Sequence, residues 1–425
     1  MADTPYQWLA RVARVDPDRL CLVDGARPMS YSDVLDRVDA RAADMRPRFT
    51  EWAVVPVEVS LDIESVIELL AIGHAGGVPL PFTGSQPDLP ALTAPSAAVC
   101  IRTSGSSGPP KIVPLTYANT AAAVAASRSR LGNGPEDRWL LCLPLDHVGG
   151  ISIIWRTLES GGSAVVAPFT ASGTAIERNE PTIASMVPTM VQRLMDTRPT
   201  ALASISLVLV GGASISAALW QRCQDADVHL VATYGLTEAG SQVATAIPGD
   251  AAVRAGPPLD GFDVVIVGQD GEAVSDGETG IISVDGPAVF GGYLGEVSRQ
   301  GPFRTRDLGR FDADGRLHVE GRADDVIISG GENVWLGRVA EAIMRLDDVR
   351  DVCVVGTNDE EWGEIVCAMV VAEAGLDAIS AKVRQELKPH ERPKRWLQRN
   401  SIPEMANGKQ DLTAVREAFE EEPWT

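Results

Sequence analysis

The amino-acid sequence predicts an α/β protein with a large N-terminal domain of parallel sheets, a β-rich subdomain and a small C-terminal α+β lid. The first observation is length, because 425 residues exceed what one hydrophobic core usually holds. The second is the alternation of short apolar runs with helical patterns between residues 50 and 235. The third is a change to hairpin patterns from about residue 260. We place the domain boundary so that the domains are 1–321 and 322–425.

The N-terminal alternation is typical of parallel sheets covered by helices. Its predicted strands are apolar on both faces, which indicates burial on both faces. In chain order they are WAVVPVEVS, AAVCIRTS, RWLLCLPL, SAVVAP, TIASMVP, ISLVLVGG and HLVATYG. Helical spacing fits DIESVIELLAIGHAGG, SAALWQRCQDA and TYANTAAAVAASRSRLG. The last of these is expected to begin after Thr116 and to end at Gly132.

The later part of the chain predicts antiparallel ribbon followed by a compact α+β section. DVVIVGQDGEAVSDGETGIISVDG and RFDADGRLHVEG each place a DG turn between two strand patterns. DADG at 312–315 lacks the remaining ligands of a calcium loop, so it predicts a turn. After Val334 the pattern is helix–strand–strand–helix.

Composition bounds the partners and the compartment. The net charge is −21, from 37 basic and 58 acidic residues, which argues against nucleic-acid and anionic-membrane partners. The six cysteines have no paired spacing, as expected of free thiols in a reducing cytoplasm. The first residues lack a signal-peptide pattern, and no apolar run reaches membrane-spanning length. We expect a cytoplasmic protein without membrane insertion, and the sequence carries no signal for its oligomeric state.

A run of small residues before Lys111 predicts a polyphosphate clamp. Free backbone N–H groups form an anion nest, hydroxyls add donors and the lysine adds a charge. The residues of this run are Ser104, Gly105, Ser106, Ser107 and Gly108. The glycine spacing differs from that of the P-loop of kinases, and Ile112 follows the lysine instead of Ser or Thr. The alternative interpretation is a surface linker.

ATYGLTEAGSQVAT, at 232–245, places an aromatic residue, a hydroxyl and a carboxylate at the end of a strand. Ligands of parallel sheets bind beyond the carboxyl ends of strands, so Tyr234, Gly235, Thr237 and Glu238 are expected in a crevice. Glu238 is a suitable ligand for a Mg²⁺ that also holds phosphate oxygens. The alternative is an ordinary helix start capped by the threonine.

Four further residues are candidates for binding or catalysis. Asp307 and Arg322 flank the second hairpin, where a carboxylate can chelate ribose hydroxyls and a guanidinium can bind ribose or phosphate oxygens. Lys409 follows an Asn-Gly turn, which presents it at a loop tip or leaves it a plain surface lysine. His147 follows the strand RWLLCLPL, and it is either structural or part of a pocket.

Together and in this order, these segments resemble the adenylate-forming superfamily of acyl-CoA synthetases, adenylation domains and luciferases. The signature TSGSTGxPKG matches TSGSSGPPKI, and YGxTE matches Tyr234 to Glu238. GRxDDxI matches Gly321 to Ile327, and PxxxxGK matches Pro403 to Lys409. The resemblance covers essentially residues 5–412. It implies an enzyme with a mobile lid that uses ATP and Mg²⁺ to make an acyl-adenylate, which a thiol then attacks.

The resemblance also implies roles for single residues. It assigns the β- and γ-phosphates to Thr103 through Lys111, adenine to Tyr234 beside Gly211, Gly212 and Ala213, the α-phosphate to Thr237, Mg²⁺ to Glu238, and ribose to Asp307 and Arg322. Lys409 is implied to bridge the carboxylate and the α-phosphate, and Asp324 to be the hinge of the lid. The chain departs from the family in three features: Arg306 stands where glycine is usual, Ile328 where lysine is common, and the N-terminal portion is shorter.

The segments LPLDHVGGISIIWRTL, SMVPTMVQRL and EAGSQVAT look like those of o-succinylbenzoate–CoA ligases. This resemblance implies an aryl acid with a second carboxylate, and CoA as acceptor. The implied substrate residues are His147, Arg156, Thr189, Ser241 and Gln242. Arg156 is either the cation for the second carboxylate or a partly exposed helix arginine. Asp146 opposes an anionic substrate unless its carboxylate points away or orients His147.

Other functions share these motifs. A ligase for a different aryl acid, or one that loads the acid onto the phosphopantetheine of a carrier protein, would carry the same core residues. A luciferase-type monooxygenase and a binding protein without activity are more distant alternatives. The joint presence of Lys111, Glu238, Asp307, Arg322 and Lys409 favours an active ligase.

Overall fold

The structure is a computed structural model that describes residues 2–25, 27–46, 50–87, 92–103, 111–250, 254–346, 348–405 and 410–422. The chain forms two compact units. Unit 1 comprises Met1–Gly212, Cys223–Val264 and Val284–Phe303, and unit 2 comprises Ala213–Arg222, Val265–Ser283 and Arg304–Thr425. The predicted domain boundary between residues 321 and 322 therefore falls inside unit 2 and stays a prediction.

The α-helices of the described residues lie in both units. In chain order they are α1 Pro5–Val15, α2 Tyr31–Met45, α3 Ile63–His74, α4 Tyr117–Leu131, α5 Val148–Ser160, α6 Ser172–Asn179, α7 Pro188–Thr197, α8 Pro199–Ala203, α9 Ala217–Asp225, α10 Leu336–Met344, α11 Leu376–Glu386 and α12 Leu412–Glu421. None of them is both long and apolar enough to cross a membrane.

The strands outnumber the helices. In chain order they are β1 Leu20–Asp24, β2 Arg27–Ser30, β3 Val54–Glu58, β4 Val78–Phe82, β5 Ala97–Arg102, β6 Ile112–Thr116, β7 Arg138–Leu141, β8 Ser163–Val166, β9 Ile183–Met186, β10 Leu207–Val210, β11 Leu230–Leu236, β12 Ser241–Thr245, β13 Asp263–Val267, β14 Gly280–Asp285, β15 Phe303–Phe311, β16 Leu317–Arg322, β17 Val326–Ser329, β18 Glu332–Trp335, β19 Val349–Asp359, β20 Gly363–Ala372 and β21 Arg395–Gln398.

Unit 1 is organised by an eight-stranded sheet with the order β12-β11-β10-β9-β7-β8-β1-β2. The inner neighbours from β11 to β1 pair in parallel, while β12 and β2 pair antiparallel at the two edges. Every residue of β8 and β10 is buried. This confirms the predicted α/β class, because a strand that is apolar on both faces is stable only when both faces are covered.

Four strands near the N-terminus stand outside this sheet. β3 and β4 form a parallel pair, and β5 and β6 form an antiparallel hairpin. The sequence indicated β3 and β5 but not β4 or β6, because prolines interrupt both short patterns, VPLPF and IVPLT. The glycine-rich run therefore connects two paired strands.

Helix α4 begins and ends where the sequence predicts. Thr116 and Asn119 form a capping box, in which each side chain bonds the other residue's backbone N–H. Gly132 follows the last turn with a φ of 70°, the left-handed conformation that ends helices at low cost for glycine. The same device, Gly161 with a φ of 74°, ends α5.

Unit 2 contains most of the sheet β13-β14-β15-β16 and all of a five-stranded sheet formed by β17 to β21. The second sheet has two apolar clusters, one that includes α10 and α11 and one that includes α12. The sequence indicated β19 and β20 but missed β21, which pairs in parallel with β20. The four-residue pattern RWLQ is too short and too polar to indicate a strand by itself.

Candidate active site

Several predicted site residues of unit 1 follow the carboxyl ends of neighbouring strands in its large sheet. Strands β7, β9, β10 and β11 are consecutive parallel neighbours, so their carboxyl ends lie together. His147 follows β7, Thr189 follows β9, Gly211 follows β10, and Thr237 follows β11. The sequence positions are far apart, and the topology brings them to one edge.

Close backbone approach shapes the turn beyond β10 and β11. A Cβ on Gly211 would come within 2.7 Å of Thr233 Cγ2 and 2.9 Å of the Thr233 carbonyl oxygen. A Cβ on Gly235 would lie 1.7 Å from the Ser241 carbonyl oxygen. Tyr234, between these approaches, is 9 % exposed and pairs with Ala244 on β12. A side chain at position 211 or 235 would collide with these neighbours, so glycine is required at both positions around Tyr234.

The residues Ser104–Gly108, predicted to bind phosphate, lie outside the described residues, but the base of their loop does not. The Thr103 N–H donates to the Lys111 carbonyl oxygen at 2.9 Å, and the Lys111 N–H donates to Thr103 Oγ1 at 3.3 Å. The neighbouring pair Arg102 and Ile112 continues the ladder into the hairpin β5–β6. Thr103 and Lys111 are therefore fixed opposite each other at the base of the loop.

Two side chains that the sequence did not indicate join Lys111 to Glu238. Lys111 Nζ lies 3.0 Å from Glu296 Oε1 and 4.4 Å from the centroid of the Tyr293 ring. The Tyr293 hydroxyl donates to Glu238 Oε1 at 2.8 Å. The candidate phosphate and metal residues are thus linked through one tyrosine. GGYLGE follows no spacing rule for a ligand site, so nothing in the sequence marked Tyr293 or Glu296.

A pocket with a mostly apolar lining includes Gly240, two residues after Glu238. It is lined by Leu115, Thr120, Ala123, Val124, Val148, Ile151, Ser152, Trp155, Arg156 and Gly240. Arg156 is 2 % exposed, so the alternative of a partly exposed helix arginine is wrong. It projects from α5, whose Val148, Ile151 and Trp155 form part of the apolar wall of the pocket.

The Arg156 guanidinium is buried without an anionic partner among the described residues. Nη2 donates to Ser241 Oγ at 3.3 Å, and the guanidinium carbon lies 5.6 Å from the Trp139 ring centroid. Burial lowers the pKa of Arg156 to about 10, so the group still carries its charge at neutral pH. A buried charge usually has a counter-ion, because removing an ion from water is costly.

Two other polar atoms of the pocket residues have no hydrogen-bond partner in the described structure. They are Thr120 Oγ1 and Trp155 Nε1, each with almost no solvent contact. Buried polar atoms are nearly always bonded, so orphaned ones need an explanation such as a ligand or water. Together with Arg156, the pocket offers a cation and two further polar groups within an apolar wall.

Ser241 and Gln242 are neighbours in the chain but have different hydrogen-bond partners. Ser241 has a φ of 112°, a left-handed conformation unusual for serine, and places its hydroxyl on Arg156. Gln242 is 3 % exposed; it accepts from Ser127 Oγ at 2.6 Å and donates to Thr245 Oγ1 at 2.9 Å. The substrate role of Gln242 stays a prediction, and these two bonds tie the amide to α4 and β12.

Asp146 carries the carboxylate that, from the sequence, is expected to be unfavourable for an anionic substrate. Its Oδ2 accepts a hydrogen bond from Thr83 Oγ1 at 2.7 Å. Its Oδ1 is buried without a hydrogen-bond partner in the described residues. His147 occupies the N-cap position of α5 and makes no side-chain cap bond there. The bond to Thr83 turns one carboxylate oxygen toward the residue that follows β4.

The candidate ribose residues belong to unit 2. Asp307 on β15 pairs in register with Arg322 on β16, and Arg322 Nη1 lies 3.6 Å from Asp307 Oδ1. Asp324, the predicted hinge, lies in the short 3₁₀ turn Ala323–Asp325 that follows β16. Lys409 lies outside the described residues, which resume at Gln410, bridged to Glu404.

The carboxylate of Glu238 fits a magnesium ion that is held mainly by its substrate. The described residues contain no group of three or more His, Cys, Asp or Glu side chains arranged to hold a metal. Mg²⁺ often takes only one or two protein carboxylates and completes its shell with water and phosphate oxygens. Glu238, whose Oε1 accepts from the Tyr293 hydroxyl, offers one such carboxylate, and its role as the Mg²⁺ ligand stays a prediction.

Comparisons with known families agree with this architecture. The family model of AMP-binding enzymes matches residues 78–294, and that of the AMP-binding enzyme C-terminal domain matches residues 338–409. The chain therefore belongs to the AMP-binding enzyme family. This confirms the predicted membership of the adenylate-forming superfamily and the predicted enzyme class, an AMP-forming acid–thiol ligase.

Relatives with curated names point in one direction. The 2-succinylbenzoate–CoA ligase of Lactococcus lactis subsp. lactis (strain IL1403) is 31% identical over 73% of this chain and 69% of its own length. The enzyme of the same name from Enterococcus faecalis (strain ATCC 700802 / V583) is 32% identical over 76% of this chain and 71% of its own length. These are the enzymes that the three substrate segments resemble.

Solved structures confirm the fold. The o-succinylbenzoate CoA synthetase of Bacillus subtilis, in complex with its acyl-adenylate intermediate, superposes with a TM-score of 0.84 at 23% identity, covering 98% of both chains. ATP-bound MatB from Rhodopseudomonas palustris superposes with a TM-score of 0.86 at 22% identity, covering 99% of both chains. At this identity the likeness concerns the fold.

Proposed function

We propose that this chain is an ATP-dependent ligase that activates 2-succinylbenzoate as an acyl-adenylate and transfers the acyl group to CoA. The observation that carries the substrate is Arg156, a buried guanidinium without an anionic partner among the described residues, in an apolar pocket. The chemistry of this lining matches an acid with an aromatic ring and two carboxylates: it offers apolar side chains to the ring and a guanidinium to the unreacted carboxylate. The curated relatives carry the same substrate in their names.

In the first step an oxygen of the reacting carboxylate bonds to the α-phosphorus of ATP, and the bond to the bridging oxygen breaks to release pyrophosphate. Lys111 binds the β- and γ-phosphates, and Thr237 donates to the α-phosphate. Mg²⁺, held by Glu238, neutralises phosphate charge when bound. Lys409 stabilises the charge that develops on the transferred group.

In the second step the sulfur of CoA bonds to the acyl carbon, and the bond from that carbon to the AMP oxygen breaks. The thiol proton leaves to solvent, and AMP and the thioester are the products. Asp324 is the hinge about which the lid turns between the two steps. Asp307 and Arg322 hold the ribose through both.

The second candidate is a ligase that loads the same class of acid onto the phosphopantetheine of a carrier protein. CoA and a carrier protein present chemically identical thiol tips, so the acid pocket does not separate them. The names of the curated relatives favour CoA.

The test is pyrophosphate release and thioester formation across a panel of aryl and alkyl acids, with CoA or a phosphopantetheinylated carrier protein as acceptor. We expect 2-succinylbenzoate with CoA to give the highest kcat/KM. A higher value for an acid with a single carboxylate would contradict the proposed acid, and a higher value with the carrier would contradict the proposed acceptor.

A further inference from the structure

Tyr293 contacts both residues to which the proposed function assigns the ATP phosphates and the metal. Its hydroxyl donates to Glu238 Oε1 at 2.8 Å, while Lys111 Nζ lies 4.4 Å from the centroid of its ring. A cation over an aromatic face is held by the quadrupole of the ring, and a carboxylate is held by a hydroxyl donor. One side chain therefore fixes two charged groups of opposite sign.

The segment that carries Tyr293 is itself tied to both groups by backbone bonds. The Phe290 N–H donates to the Glu238 carbonyl oxygen at 2.8 Å, and the Leu294 N–H donates to the Ile112 carbonyl oxygen at 2.9 Å. The Phe290 ring packs edge-on against the Tyr293 ring, with centroids 4.9 Å apart. Tyr293 thus stands between two anchors, one beside Glu238 and one beside Lys111.

We propose that Tyr293 is a positioning residue for Mg²⁺–ATP, and this proposal rests on the proposed function. The hydroxyl occupies one oxygen of Glu238 and so sets the direction in which the second oxygen meets the cation. Hydrogen bonds to metal-binding carboxylates of this kind typically contribute about 10- to 100-fold in metal affinity. The ring separately holds Lys111 in place for the phosphates.

The two contacts can be removed one at a time. Tyr293→Phe deletes the hydroxyl and keeps the ring, so it removes the bond to Glu238 and leaves the ring beside Lys111. Tyr293→Leu deletes both contacts. Tyr6→Phe is the matched control, because Tyr6 is also a tyrosine whose pKa is raised by burial and by a nearby carboxylate, that of Asp39, and its ring stacks on His74 with centroids 3.5 Å apart.

The experiment is calorimetric titration of ATP at a series of Mg²⁺ concentrations, without acid or CoA. For Tyr293→Phe we expect the Mg²⁺ concentration that gives half of the maximal ATP affinity to rise about 10- to 100-fold, with unchanged ATP affinity when Mg²⁺ is absent. For Tyr293→Leu we expect the same rise and, in addition, weaker binding without Mg²⁺. Tyr6→Phe should match the wild type.

A cycle with Glu238→Ala tests whether the hydroxyl acts through that carboxylate. In the Glu238→Ala background, Tyr293→Phe should cause no further shift in the Mg²⁺ dependence. A Tyr293→Phe curve that superposes on the wild-type curve, or a shift that persists without the Glu238 carboxylate, would overturn the proposal. A wild-type protein that binds no ATP at any Mg²⁺ concentration would instead overturn the proposed function, and this inference with it.

Discussion

The buried guanidinium of Arg156 forms a hydrogen bond with the hydroxyl of Ser241, a serine with a left-handed backbone conformation. Nη2 of Arg156 donates to Ser241 Oγ at 3.3 Å, and Ser241 adopts a φ of 112°. A neutral oxygen at this distance compensates little of the cost of burying a charge. Backbone strain held beside an uncompensated charge is typical of a binding site, where a ligand supplies the missing partner.

The ion pair between Lys111 and Glu296 predicts that Glu296 competes with ATP for the lysine. Both side chains are nearly half exposed, and exposed pairs of this kind contribute about 0.2–1 kcal/mol. Freeing the lysine by Glu296→Gln should therefore lower the KM for ATP about 1.4- to 5-fold. Initial rates at varied ATP measure it.

Glu136→Gln is the control for that variant, because Glu136 forms an exposed pair with Arg19 on the same unit. It should leave the KM for ATP unchanged. The effect of Glu296→Gln should also vanish in a Lys111→Met background. If it persists there, Glu296 acts through the general field of the protein and not through the lysine.

Replacement of Lys409, the proposed lid lysine, should separate the two half-reactions. Lys409→Ala should slow adenylate formation about 10²- to 10³-fold, since it removes a charge that stabilises the transition state. Thioester formation from supplied acyl-adenylate and CoA should continue at the wild-type rate. Lys382→Ala serves as the control, because Lys382 is a lysine of α11 in the same unit that forms an exposed ion pair with Asp348. Equal loss of both half-reactions in a folded variant would remove the assigned role.

A rigid residue at the hinge should uncouple the same two steps in another way. Asp324→Pro fixes φ at the turn after β16, so the lid is expected to favour one of its two orientations. One half-reaction should then survive while the other falls. Burst pyrophosphate release and steady-state thioester turnover measure the two steps separately. Wild-type values for both would place the hinge elsewhere.

Local signals in the sequence predicted the bounds of helix α4 to the residue. Helix α4 lies between Thr116 and Gly132 because capping and left-handed glycine act within one turn. The buried strands of the large sheet were likewise visible as short apolar runs. Strands such as β4, β6 and β21 were missed, because each depends on a partner strand and not on its own pattern.

The candidate site also contains residues that local patterns predicted and residues that depend on contacts between distant segments. Motif residues such as Thr237 and Glu238 were found because a strand end beside a hydroxyl and a carboxylate is a local pattern. Tyr293 and Glu296 were missed, because their contacts with Lys111 and Glu238 join segments far apart in the chain. The burial of Arg156 was equally invisible, since it depends on how α4, α5 and β12 pack around the pocket.

We expect the pocket around Arg156 to recognise the second carboxylate of 2-succinylbenzoate. Benzoate leaves that cation unpaired, and an unpaired buried polar group costs about 1–3 kcal/mol, or about 5- to 150-fold in kcat/KM, and more when it is charged. Arg156→Gln should reduce the ratio of kcat/KM for 2-succinylbenzoate to kcat/KM for benzoate, because the variant lacks the charge that distinguishes the two acids. Arg128→Gln, an exposed arginine on α4 paired with Glu159, should leave it unchanged.

The most direct measurement is kcat/KM for 2-succinylbenzoate and for benzoate, each with CoA, in the wild type and in Arg156→Gln. We predict a wild-type preference for 2-succinylbenzoate of at least about fivefold that shrinks in the variant. Equal kcat/KM for the two acids in the wild type, or a preference that survives the loss of Arg156 intact, would contradict the account.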